Sequence, residues 1–190
     1  MTLDRGFKAW AERTATAIRK ELGLEITAPL PPRQLANHLG VTLWTCRDVP
    51  GMTQADIRQL TERDPWGWSA VTVTSGQNTI VVYNDEHSDG RQASDITHEL
   101  AHVILNHEPA KVILSESIEV SMRSFDQKQE DEANCLSWAL LLPREALFSA
   151  RKRRMKSAHI ATAFGVTTTL VDFRLKMTGI DLQLRRAGQR

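Results

Sequence analysis

Apolar residues return every three or four positions at the start of the chain: Leu3, Phe7, Trp10, Ile18 and Leu22, with Thr14 a weaker member of the row. That spacing predicts an amphipathic helix from about Leu3 to Leu22, stopped at Gly23. Pro29, Pro31 and Pro32 interrupt regular structure, and a short helix from Arg33 to Leu39 follows, closed by Gly40. Val41 to Thr45 alternates as a strand does, whereas residues 46–67 predict a loop with a helical piece at Gln54 to Arg63. Trp68 to Thr74 and Thr79 to Tyr83 are β-rich runs about Ser75-Gly76-Gln77-Asn78, a hairpin signature. After a polar loop at Asn84 to Gly90, helical patterns occupy about 92–106 and 127–141. A β-prone segment near Val112 to Val120 joins them, and Pro143 ends the second. Ile160 to Lys176 predicts two short helices about Gly165-Val166, in the manner of a helix-turn-helix unit. Together these elements predict an α+β fold, with helices packed on a small, mostly antiparallel sheet.

Composition sets limits on this picture. The 190 residues are 41% apolar and 25% charged, which excludes a wholly disordered chain. The longest apolar run, Trp138 to Leu142, is far short of the ~20 residues a membrane span needs. With no membrane segment and no secretion signal in the N-terminal helix, a cytoplasmic location is expected. The two cysteines, Cys46 and Cys135, make no disulfide framework and agree with a reducing compartment. The net charge of +1 conceals an asymmetry: residues 1–143 carry 13 basic against 20 acidic side chains, residues 144–190 carry 11 against 3. The chain thus divides into a body, 1–143, and a basic helical segment, 144–190. The second is either a solvated surface or a face for acidic partners or nucleic acid.

The chemistry concentrates in His98-Glu99-Leu100-Ala101-His102, an H-E-x-x-H motif. On a helix turning ~100° per residue the two histidines lie only ~40° apart and one turn along, so both rings can reach one ion. Glu99 points beside that ion, where it can take a proton from an attacking water. Asp95 is placed near the start of this helix. An open catalytic zinc site needs a third protein ligand, and the next acidic helical stretch is Glu130-Asp131-Glu132-Ala133-Asn134. Glu130 and Asn134 share a face, so Glu130 can bind metal while Asn134 hydrogen-bonds a ligand histidine. Glu132 falls on nearly the opposite side and reads as a solvated charge. His107 on a continuous helix would stand ~180° from His98, facing away from the metal, and reads as a structural histidine. His38, His87 and His159 lie outside ligand spacing, His87 being the loop histidine able to approach a substrate. Tyr83 reads as a packing residue at the end of an edge strand, with oxyanion donation as the alternative. That edge could pair with an extended peptide. Trp44, Trp66 and Trp68 read as core or loop-packing residues.

The strand ending Ile80-Val81-Val82-Tyr83-Asn84, the H-E-x-x-H helix, and Glu130-x-x-Ala133-Asn134 leading to Leu140-Leu141-x-Pro143 resemble the ImmA/IrrE family of zinc metallopeptidases. Glu21-Leu22-Gly23 with the proline stretch and Leu35-Ala36-x-x-Leu39-Gly40-Val41 fit the opening of that family. Ala161-Thr162-Ala163-Phe164-Gly165-Val166 and Arg174-Leu175 look like its helix-turn-helix-like segment. The likeness spans roughly residues 15–180. Leu136 stands where an aromatic is usual, and Ser137-Trp138 where small residues are common. The resemblance implies a minimal gluzincin-like fold over 1–143. It also implies one zinc held by His98, His102 and Glu130, with Glu99 as catalytic base.

Members of that family act in regulation, which implies a helix-turn-helix repressor as the protein substrate and a stress, mobile-element or prophage regulon as the output. The reading is therefore a cytoplasmic metallo-endopeptidase. Its alternative is a non-proteolytic regulator that binds a repressor or DNA through the basic segment. DNA affinity is expected to be weak or absent, since one such unit offers few base contacts. Arg151, Lys152, Arg153, Arg154 and Lys156 are the candidates for partner contact.

Overall fold

The computed structural model describes residues 3–75, 78–107, 111–115, 118–121 and 126–187. The first helix, α1 (Phe7–Glu21), starts later than the apolar row because Gly6 adopts φ 91° before it. α2 (Pro32–His38) opens on proline, whose missing N–H is harmless at a helix start. Then come β1 (Val41–Trp44), a 3-10 turn (Cys46–Asp48) and α3 (Gln54–Arg58), which runs on as a π-helical turn (Gln59–Arg63). β2 (Ala70–Ser75) and β3 (Asn78–Tyr83) form the expected hairpin. α4 (Asp89–Ile104) carries the H-E-x-x-H motif, β4 (Lys111–Ser115) and β5 (Ile118–Ser121) form a second hairpin, and α5 (Gln127–Leu141) carries Glu130. The basic third folds as α6 (Arg144–Lys152), α7 (Ser157–Phe164), α8 (Thr168–Thr178) and α9 (Ile180–Ala187).

The fold is α+β, with the sheet ordered β1-β3-β2-β5-β4. β1 runs parallel to β3 and the other pairings are antiparallel. The outer hairpin joins through the pair Thr74↔Ser121. β3 is therefore interior, not the expected edge, and cannot receive a peptide. The unbroken apolar run Ile80-Val81-Val82-Tyr83 suits a strand covered on both faces, while its interior place in the sheet comes from pairing with β1 as well as β2. Val81, Val82 and Tyr83 are buried accordingly.

Among the described residues, two apolar clusters form the core. One gathers Ala15 and Ile18 of α1, Leu35 of α2, Val81 of β3, Leu100 of α4 and Leu136 and Leu140 of α5. The other gathers Leu141 and Leu142 with Leu147, Ile160, Phe164, Val171 and Ile180 of the C-terminal helices, and touches α4 at Ala93. Near its start α4 meets the α7–α8 turn so closely that a Cβ on Gly90 would lie 2.8 Å from the Val166 carbonyl carbon and 3.0 Å from the Thr167 nitrogen.

Two buried arginines hold the C-terminal end of α5, where carbonyls lack helical partners. Arg19 donates from Nε and Nη2 to the Leu140 carbonyl at 3.1 and 2.9 Å, and from Nη1 to the Ala28 carbonyl at 2.7 Å. Burial lowers its pKa to about 10. Arg174 donates from Nε and Nη2 to the Leu142 carbonyl at 3.1 and 2.7 Å. These clamps fix the helix that carries Glu130.

Candidate metal centre

α4 presents His98 and His102 one turn apart, and their Nε2 atoms stand 3.1 Å from each other. α5 packs against α4 and brings Glu130 to both. Its Oε2 lies 3.1 Å from His98 Nε2, and its Oε1 lies 3.3 Å from His102 Nε2. These three residues offer donor atoms that all fall within 4.8 Å of one another. Donors 2.0–2.2 Å from a tetrahedral zinc would stand about 3.3–3.6 Å apart. The observed separations differ from that by a few tenths of an ångström, so two imidazoles and a carboxylate fit a divalent metal here. His102 is buried, whereas the side chains of His98 and Glu130 are 21% and 26% exposed, leaving one side of the group open to a substrate.

Glu99, 6% exposed, lies beside this group and not in it. The hydroxyl of Thr72 on β2 donates to its Oε2. Thr72 is a site residue that motif reading misses; the available signal is that Thr72 and Thr74 alternate onto the same strand face. A cleft of about 210 Å³ between sheet and α4 is lined by Thr72, Thr74, Thr79, His102 and His107.

Several sequence expectations require correction. The hydrogen-bond partner of a ligand imidazole is His107, not Asn134: His107 Nδ1 lies 2.8 Å from His102 Nδ1. The continuous-helix argument fails because α4 ends at Ile104 and Asn106 adopts φ 53°. The chain therefore turns back, with His107 N–H donating to the His102 carbonyl at 3.1 Å. Glu132 is not a solvated charge. Its side chain is only 15% exposed, and its Oε2 lies 3.2 Å from His107 Nε2.

His87 does not approach a substrate, being buried with Nδ1 2.9 Å from Asp95 Oδ2. Asp95 is thus its partner, in the second turn of α4 and away from the first. Trp66, expected in packing, is 67% exposed and stacks on His87 from outside at 5.3 Å. The buried Tyr83 hydroxyl accepts from Arg33 Nη2 at 2.5 Å, in keeping with a packing role. His38 pairs with Glu21 at 3.1 Å on the surface, and His159 is exposed.

In the basic third, Arg151 is not a free cation. Its Nε and Nη2 bond both Asp181 oxygens at 2.8 Å, and its Nη1 donates to the Met155 carbonyl at 2.9 Å. Lys152, Arg153, Arg154 and Lys156 are exposed. Cys46 and Cys135 are free and buried, and burial raises both thiol pKa values. Among the described residues no helix is long and apolar enough to cross a membrane.

Comparison with known proteins accords with this geometry. No curated protein matches the chain significantly. A solved structure named a Mycobacterium tuberculosis transcriptional regulator shares the fold, with a TM-score of 0.51 and 18% identity. The match covers 91% of this chain but 47% of that one, so this chain spans less than half of its length. The Peptidase M78 family, described as the IrrE N-terminal-like domain, matches residues 52–176, a stretch containing β2, β3, α4 and α5 with His98, Glu99, His102 and Glu130. By that match over most of its length, the chain belongs to the IrrE N-terminal-like family of metallopeptidase-like proteins.

Proposed function

We propose that this protein is a zinc-dependent endopeptidase that inactivates a helix-turn-helix transcriptional repressor by cleaving it. The observation that carries the reading is the convergence of His98, His102 and Glu130 beside a buried Glu99. A zinc ion held by these three residues would polarise the scissile carbonyl and make a water nucleophilic at neutral pH. Glu99 accepts the proton of the attacking water as the new C–O bond forms. It then passes that proton to the leaving amine as the C–N bond breaks. Thr72 donates to Glu99 Oε2, which holds the carboxylate in place beside the metal site.

The repressor substrate rests on the family resemblance, and the printed name of the fold neighbour accords with a regulatory setting. The basic cations left exposed at Lys152, Arg153, Arg154 and Lys156 suit recognition of an acidic protein surface. DNA is the less favoured partner. α8, the helix that would enter a groove, exposes Thr168, Thr169, Asp172, Phe173 and Lys176, one cation against one anion.

The test is incubation of the purified protein with the helix-turn-helix repressor encoded nearest its gene, with and without chelator. Cleavage that the chelator abolishes and added zinc restores is expected. Repressor binding without cleavage, under zinc-replete conditions, would favour the non-proteolytic regulator instead.

A further inference from the structure

We infer that His107, backed by Glu132, is a positioning residue of the metal centre: it holds the ring of His102 with Nε2 turned toward the metal. The inference rests on the metal-centre reading above and concerns residues that neither the motif nor the ligand set includes.

The argument is one of hydrogen-bond polarity. With Nε2 of a neutral His102 given to a metal, its single proton lies on Nδ1. His102 is 2% exposed, so water cannot take that proton's hydrogen bond, and leaving a buried donor unpaired costs about 1–3 kcal/mol. The acceptor is His107 Nδ1, 2.8 Å away. Accepting there places the proton of His107 on Nε2, and Glu132 Oε2 receives it at 3.2 Å. Each group has the one role its neighbour leaves to it, and the series ends on a carboxylate that prefers to accept. The rings of His102 and His107 meet edge to face, 4.9 Å apart and 70° inclined, so neither can flip without losing the bond.

The backbone is shaped for this contact. Asn106 takes φ 53°, which tolerates asparagine better than most residues, and brings His107 back over the last turn of α4. Glu132 comes from α5, the helix that also supplies Glu130, so one helix sets both the ligand carboxylate and the outer carboxylate. Lys128 Nζ stands 3.9 Å from Glu132 Oε1 on the same helix.

The experiment measures zinc affinity of the full chain by competition with a chromophoric chelator. His107→Phe keeps a ring but removes the acceptor, and should lose about 10–100-fold in affinity, the usual worth of an outer hydrogen bond to a ligand histidine. His107→Asn places an oxygen near the Nδ1 position and should recover most of that loss. A packing role predicts the opposite order, since Phe fills the space and Asn leaves a hole. Affinity in His107→Phe equal to or above that of His107→Asn therefore overturns the inference. Glu132→Met, close in length to the native residue but without an acceptor oxygen, reads the same contact if His107→Phe does not fold. A several-fold loss is expected there, and no loss overturns the inference. Failure of the unaltered chain to bind zinc at all would instead refute the metal-centre reading, so the two failures are distinguishable.

Discussion

Arg174 on α8 reaches Glu12 on α1, its Nη2 2.6 Å from Glu12 Oε1, while the same guanidinium caps the Leu142 carbonyl. Glu12 uses its other oxygen to accept from the Arg144 backbone N–H at 2.9 Å. The acidic body and the basic third are thus joined by a cation that is 1% exposed. Removing the arginine takes both guanidinium donors from the Leu142 carbonyl, which costs about 1–3 kcal/mol, whereas Glu12, 26% exposed, keeps water and the Arg144 N–H. Arg174→Met should lower the unfolding free energy by about that amount. Chemical denaturation checks it, and a change below ~1 kcal/mol would count against the clamp.

Zinc content should depend on the three residues of the centre. His98→Ala and His102→Ala should each abolish stoichiometric binding, and Glu130→Gln should weaken it, as elemental analysis of dialysed protein would show. One metal per chain is expected in the unaltered protein.

Glu99→Gln keeps the acceptor geometry toward Thr72 but cannot take a proton. It should retain zinc and fold, yet lose about 10²–10⁴-fold in peptide cleavage. A turnover assay at saturating substrate, paired with a metal assay, separates loss of chemistry from loss of the ion.

The close approach at Gly90 leaves no room for a side chain. Gly90→Ala would force backbone of the α7–α8 turn away from α4 and should cost about 1–3 kcal/mol. A thermal melt of this variant against the parent measures the effect.

Acid should loosen the C-terminal helices through Asp181. Hydrogen bonds from Arg151 hold its carboxyl below the ordinary value of 3.8. A carboxylate whose folded pKa is depressed contributes stability that is complete above the unfolded pKa and lost as pH falls through the folded one. Stability should therefore drop below about pH 4, and Asp181→Asn should flatten that part of the profile. Because the pair is partly exposed, the difference should be modest and shrink in high salt.

The sequence by itself determined what depends on local periodicity. A helix of 3.6 residues per turn puts His98 and His102 on one face wherever it lies, and Glu130 with Asn134 on another. Turn chemistry at 75–78 marked the β2–β3 hairpin, and Pro143 marked the end of α5. Other features depend on groups far apart in the chain or on one backbone torsion. The φ of Asn106 decides that His107 returns to His102 instead of continuing around the helix. Packing of α4 on α5 turns Glu132 from a surface charge into the partner of His107, and packing of the sheet on α4 brings Thr72 to Glu99. The parallel neighbour β1 makes β3 an interior strand. Arg19 and Arg174 become buried because the end of α5 offers carbonyls that nothing nearby in sequence can satisfy. Hydrogen-bond demand at a buried helix end is a tertiary quantity: it exists only once the surrounding elements have excluded water.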